Sequence, residues 1–151
     1  MKYGLLVCLL AAWLVAAPVR VCAQRAAEQA SPFALAERHG EPGERIFFVF
    51  STALAKYILR NDGVGEITAP NGVRKVFSLR VGVKERIERV YSFEYEGDLL
   101  LLYQAGGSGY LARMNQRSRK LRTMTIDPSF APPAINDHRL VFNDGAVIAL
   151  N

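Results

Sequence analysis

From Arg45 onward, Gly, Asn and Asp turn signals cut the chain into short apolar runs, and the clearest runs alternate with a period of two. Val73, Lys75, Phe77, Leu79 and Val81 fall on one side of an extended chain; Arg74, Val76, Ser78 and Arg80 fall on the other. The next run sets Ile87, Arg89, Tyr91, Phe93 and Tyr95 against Glu88, Val90, Ser92, Glu94 and Glu96. An amphipathic helix needs apolar residues three and four apart, whereas a period of two belongs to half-buried strands. Strands are predicted over 46–50, 56–60, 65–69, 73–81, 87–96, 99–104, 109–115, 120–126, 139–142 and 146–150. Tight turns are predicted at Pro70-Asn71-Gly72, Glu96-Gly97-Asp98 and Asn143-Asp144-Gly145, since Asn-Gly and Asp-Gly suit hairpins. Leu99 to Tyr103 is apolar without alternation, which fits a strand covered on both faces. The expected core is Phe48, Phe50, Phe77, Leu79, Tyr91, Phe93, Leu100, Leu102 and Val141.

The start of the chain has another character. Lys2, an uncharged stretch over residues 5–17 and Val21-Cys22-Ala23 describe a secretory signal peptide over residues 1–23. The stretch is short for a membrane span, which needs about 20 residues; an uncleaved N-terminal anchor is the alternative. The chain is therefore expected to be exported, to a periplasm or outside the cell. Cleavage would remove both cysteines, Cys8 and Cys22, and with them disulfides, thiolate metal sites and a cysteine nucleophile. It would also remove Lys2 and Arg20, so the net charge of +5 becomes +3. Residues 24–44, rich in Ala, Glu, Arg, Gly and Pro, read as a flexible leader, and 45–151 as one β domain. Of the whole chain 50% is apolar and 22% charged, which excludes intrinsic disorder for that domain.

A weak internal repeat runs through the β domain. Phe47-Phe48-Val49-Phe50 followed by Lys56-Tyr57-Ile58-Leu59-Arg60-Asn61 is one copy. Leu99 to Gln104 followed by Gly109 to Asn115 is the next, and Arg139 to Asp144 followed by Ala146 to Asn151 the last. Each is a strand, a turn and a strand closing on Asn. These units resemble β-propeller blades of the quinoprotein-like, PQQ-repeat type, best in Gly145-Ala146-Val147-Ile148-Ala149-Leu150-Asn151. The resemblance implies antiparallel, propeller-blade-like hairpins. It departs from the family where a blade carries Gly and Trp: here Arg119-Lys120 and Met124 follow, and the single tryptophan is Trp13. A closed propeller needs at least four blades, on the order of 160 residues. Residues 45–151 offer two to three, an incomplete propeller; a small β-sandwich is the alternative.

Catalytic chemistry finds little support. Ala105-Gly106-Gly107-Ser108-Gly109 is Gly-rich, but a strand follows it, not the helix a phosphate cradle needs. His39 and His138 are the two histidines, too few for a zinc site, and neither Ser108 nor Ser129 sits in a nucleophile elbow. Glu94 and Glu96 would share a strand face about 7 Å apart, which reads as a solvated face before a hydrolytic pair. No catalytic, cofactor or metal residue is assigned. Two basic runs remain: Arg74, Lys75, Arg80, Lys84, Arg86, Arg89, and Arg113, Arg117, Arg119, Lys120, Arg122. The second surrounds one hairpin, so its side chains can converge on an anion. In an exported chain the expected partner is an anionic envelope component or a protein and not nucleic acid, with self-association through sheet edges a further route. The expected role is non-enzymatic binding or scaffolding in the cell envelope. The competing reading is part of a propeller enzyme whose active site lies outside this chain.

Overall fold

The computed structural model describes residues 30–41 and 43–151; the expected signal peptide and the leader up to residue 29 lie outside the described residues. There are thirteen strands and no helix among the described residues, and every pairing is antiparallel. In chain order they are β1 (Ala34–Leu35), β2 (Glu37–His39), β3 (Phe47–Ser51), β4 (Lys56–Arg60), β5 (Val64–Thr68), β6 (Arg74–Ser78) and β7 (Ile87–Tyr95). There follow β8 (Asp98–Ala105), β9 (Ser108–Asn115), β10 (Leu121–Ile126), β11 (Ala134–Asn136), β12 (Arg139–Val141) and β13 (Val147–Ala149). They form sheets β2-β3-β4-β5-β6, β1-β7-β8-β9-β10 and β11-β12-β13, so each sheet is a sequential meander, two of them extended by a short N-terminal strand. They do not close into a ring among the described residues.

The β7–β10 sheet lies in the middle. Along β8, Leu99, Leu101, Tyr103 and Ala105 enter a core shared with Phe48, Tyr57, Leu59, Ile67 and Phe77 of the first sheet. Leu100 and Leu102 enter a second core with Leu140, Phe142 and Leu150. Period-two geometry thus sends neighbouring leucines into different cores, and Leu99 to Tyr103 are all fully buried. Each such side chain contributes about 1.5–3 kcal/mol of transfer free energy.

Three expectations need correction. Tyr91, Phe93 and Val141 are half-buried, while Tyr57, Leu59, Ile67, Leu99, Leu101, Tyr103, Met114 and Leu140 hold the interior. Ile87 does not share a face with Tyr91: the register slips between Ile87 and Arg89, a bulge that puts Ile87 and Val90 in the first core and Tyr91 and Phe93 against the second. The leader expectation fails for residues 31–39. Phe33 is buried against Phe93, with ring centroids 5.4 Å apart. Ala34 and Leu35 pair with Ser92 and Tyr91, and Glu37 to His39 pair with Phe47 to Val49. The chain therefore crosses from one sheet to the other at buried Ala36, whose N–H donates to the Val90 carbonyl at 2.9 Å.

The hairpins use the turn chemistry expected. Glu96-Gly97 and Gly106-Gly107 have positive φ at both central positions, the mirror-image turn that matches strand twist. The Gly-rich loop is therefore a two-residue hairpin turn between β8 and β9.

Tyr103 gives the fold a pH limit. Its ring is fully buried, stacked on Tyr110 at 5.0 Å, with its hydroxyl donating to the Arg80 carbonyl at 2.9 Å. Burial, reinforced by the Tyr110 phenol, pushes its pKa up to about 12. An unfolded tyrosine titrates near pH 10. Below that pH both states hold the proton; above it the unfolded chain releases a proton that the folded chain keeps, so stability falls as pH rises. The interval from about 10 to about 12 amounts to about 3 kcal/mol. The urea midpoint should fall across this window, and Tyr103→Phe should flatten the fall. An equally steep fall in that variant would place the titration elsewhere.

Candidate anion-binding cleft

β9 and β10 pair with Arg122 directly opposite Arg113, and Leu121 opposite Met114. Met114 belongs to the first core, so alternation turns both arginines to the other face of the sheet. Two like charges in facing positions repel. Arg113 is neutralised locally: its Nε donates to Asp98 Oδ2 at 2.5 Å, and an Nη donates to the Leu150 carbonyl. Asp98 is a buried carboxylate at the start of β8; its other oxygen accepts from Asn115 Nδ2 at 2.8 Å. The register that sets Asp98 against Asn115 and Leu100 against Arg113 brings this trio together.

Asn115 also builds the loop to β10. Its Oδ1 accepts from Ser118 N–H at 2.9 Å, Ser118 Oγ at 3.0 Å and Arg117 N–H at 3.2 Å. Its backbone N–H donates to the Lys120 carbonyl at 3.0 Å. The loop is thereby fixed with Lys120 two residues before Arg122 on the same face. Asp98, Arg113, Asn115, Ser118, Lys120, Arg122 and Asn151 line a cleft of about 360 Å³. Lys120 and Arg122 are exposed and have no acidic partner among the described residues. Asp98 answers Arg113, so two uncompensated cations face the cleft. Among the described residues its lining is suited to holding an anion.

Of the five basic residues expected to converge, Arg113, Lys120 and Arg122 do so. Arg117 is exposed on the loop and does not line the cleft. Arg119, at φ 63°, turns to the other side, where its Nε and one Nη are buried without hydrogen-bond partners and its charge acts on Tyr57. Burial holds the Tyr57 phenol above its ordinary range, and the nearby guanidinium works against that rise. Asp98 and Asn115 were not foreseen as cleft residues, because their roles depend on cross-strand register. Asn115 closes its repeat copy, and an Asn followed by Ser three positions on is the local signal of its side-chain-built turn.

The other candidates are accounted for structurally. Glu94 and Glu96 do not form a pair: the strand ends at Tyr95, and Glu96 enters the turn with φ 49°. Glu94 accepts from Ala53 N–H at 2.9 Å and Gln116 Nε2 at 3.0 Å. Ser129 donates to Asp127 at 2.6 Å, and His138 bonds the Tyr95 hydroxyl. No group of three potential metal ligands occurs among the described residues. Comparison with protein-family models, with curated proteins and with solved structures returns no match, so what the cleft can do is read from its residues alone.

Proposed function

We propose that this chain is an exported, non-enzymatic β-repeat protein that binds an anionic component of the cell envelope, in a binding or scaffolding role. The observation that carries the reading is the convergence of Arg113, Lys120 and Arg122 on one cleft whose one acidic side chain among the described residues, Asp98, is already committed to Arg113. Export is supported by Lys2, the apolar stretch and Val21-Cys22-Ala23. Three consecutive antiparallel meanders, packed face to face, are compatible with propeller-like blades, and the PQQ-repeat reading of the units rests on the resemblance carried by Gly145 to Asn151.

Binding to vesicles containing an anionic phospholipid tests it against vesicles of neutral phosphatidylcholine. The protein should partition onto the anionic vesicles only. The partitioning should fade with salt as the Debye length drops from about 10 Å at 0.1 M to about 3 Å at 1 M. Equal partitioning onto both, or retention at high salt, would remove the electrostatic basis of the proposal.

A further inference from the structure

Six strands stand at sheet edges among the described residues: β1, β2, β6, β10, β11 and β13. Exposed edges recruit other strands unless charge, proline or shortness discourages them. β6 carries Arg74 and Lys75, β10 carries Arg122, and β2 is Glu37-Arg38-His39. β1 has two residues after Pro32, and β11 follows Pro132-Pro133. β13 is short, at three residues, but it is the edge guarded by neither charge nor proline: Gly145 to Leu150 contains neither, and Val147 is 54% exposed.

The hydrogen bonds of β13 show which groups are free. Leu150 N–H donates to the His138 carbonyl, and Phe142 N–H donates to the Ala146 carbonyl. The Ala146 carbonyl and the Leu150 N–H therefore face β12, as do the backbone groups of Ile148 between them, and alternation points those of Val147 and Ala149 outward. Among the described residues, two donors and two acceptors stand unpaired along an uncharged strand.

We infer that this edge pairs with the β13 edge of a second copy, antiparallel, about a twofold axis at Ile148. In that register the N–H and C=O of Val147 meet the C=O and N–H of the partner's Ala149, and Gly145 stands opposite the partner's Asn151. Charge identifies a second copy as the occupant. At one end of β13, Asp127 and Asp144 line the neighbouring groove. At the other end, Arg122 lines the groove beside Leu150 and Asn151, with Arg113 and Lys120 next to it. The strip thus reads acidic, apolar, basic. Turned about a twofold axis it meets its own complement, with Asp144 beside the partner's Arg122 at both ends. One Asp144 oxygen accepts from Ala146 N–H at 2.9 Å, which leaves the other open.

Sedimentation equilibrium of the full chain, without added anion, tests this across a concentration series. The wild type should dimerise reversibly. Ala149→Pro removes one outward N–H, which β12 does not use, and should leave a monomer with unchanged circular dichroism and urea midpoint. Asp144→Arg and Arg122→Asp should each weaken association by at least about tenfold, because each places like charges in contact. The two changes combined in one chain should restore it, because the pair re-forms with its signs exchanged. Both positions are exposed, so these three variants decide the question even if the proline variant fails to fold. A wild type that stays monomeric overturns the inference, and protected Val147 and Ala149 amides in that monomer would assign the edge to a segment of the same chain. A dimer indifferent to all four variants overturns it equally. Vesicle binding, measured at protein concentrations below dimerisation, stands or falls separately.

Discussion

Leu100→Ala and Leu101→Ala should each cost about 2–5 kcal/mol, the range for emptying a fully buried leucine site. The equality matters more than the size. The two residues are neighbours on β8, point to opposite faces, and are both fully buried. In a sheet with one wet face, one of the pair would tolerate truncation within about 0.5 kcal/mol. Here Leu101 leaves a void among the residues joining the first and middle sheets, and Leu100 leaves one against Leu140 and Leu150. Phe93→Ala should cost less than either, because that ring is half-buried. Urea midpoints of the three variants check this. A near-neutral Leu100→Ala would mean that the β11–β13 sheet does not seal the second face.

The other large effect lies in a polar site. Gln116 is 2% exposed, and both its side-chain oxygen and its side-chain nitrogen are hydrogen-bonded. Its Oε1 accepts from Thr52 Oγ1 at 2.6 Å and Tyr57 OH at 2.8 Å, and its Nε2 donates to Glu94. Glu94 in turn accepts from Ala53 N–H, so one amide ties the β3–β4 turn to the middle sheet. Gln116→Leu leaves the Thr52 and Tyr57 hydroxyls without their acceptor, and stranding a buried donor costs about 1–3 kcal/mol. The expected loss is about 2–4 kcal/mol. Tyr57→Phe in the same background should recover part of it, since the stranded hydroxyl is gone; the double-mutant cycle therefore couples. Additive losses would show that the two side chains do not share this bond.

The strands were legible because alternation and turn chemistry act locally. Phe77 and Leu79 on one face, the continuous Leu99–Tyr103 run and the Glu96-Gly97 turn each follow from neighbours in sequence. What escaped is decided at a distance. Residues 31–39 carry weak strand signals, and their pairing comes from open edges on β3 and β7. β11 hides behind Pro132-Pro133, whose second proline immediately precedes the strand. The slip between Ile87 and Arg89 inverts the faces of β7 without a mark in its composition.

The cleft divides in the same way. The convergence of Arg113, Lys120 and Arg122 follows from their positions around one hairpin. The departure of Arg119 follows from its positive φ, which no local residue preference announces. The commitment of Arg113 to Asp98 and Leu150 depends on partners 15 and 37 positions away. Gln116, polar and beside a loop, carries no sequence signal of burial at all.

Anionic-vesicle binding by Lys120→Ser/Arg122→Ser, compared with Arg74→Ser/Lys75→Ser, tests the proposed cleft most directly. Both variants lose the same net charge, and all four positions are exposed. A basic residue near an anionic surface contributes about 1 kcal/mol, so the cleft variant should lose tenfold or more in partitioning. The control, whose Arg74 lies 3.5 Å from Glu66 on a distant edge, should lose much less. Equal losses would reduce binding to net charge and contradict a site at Arg113, Lys120 and Arg122.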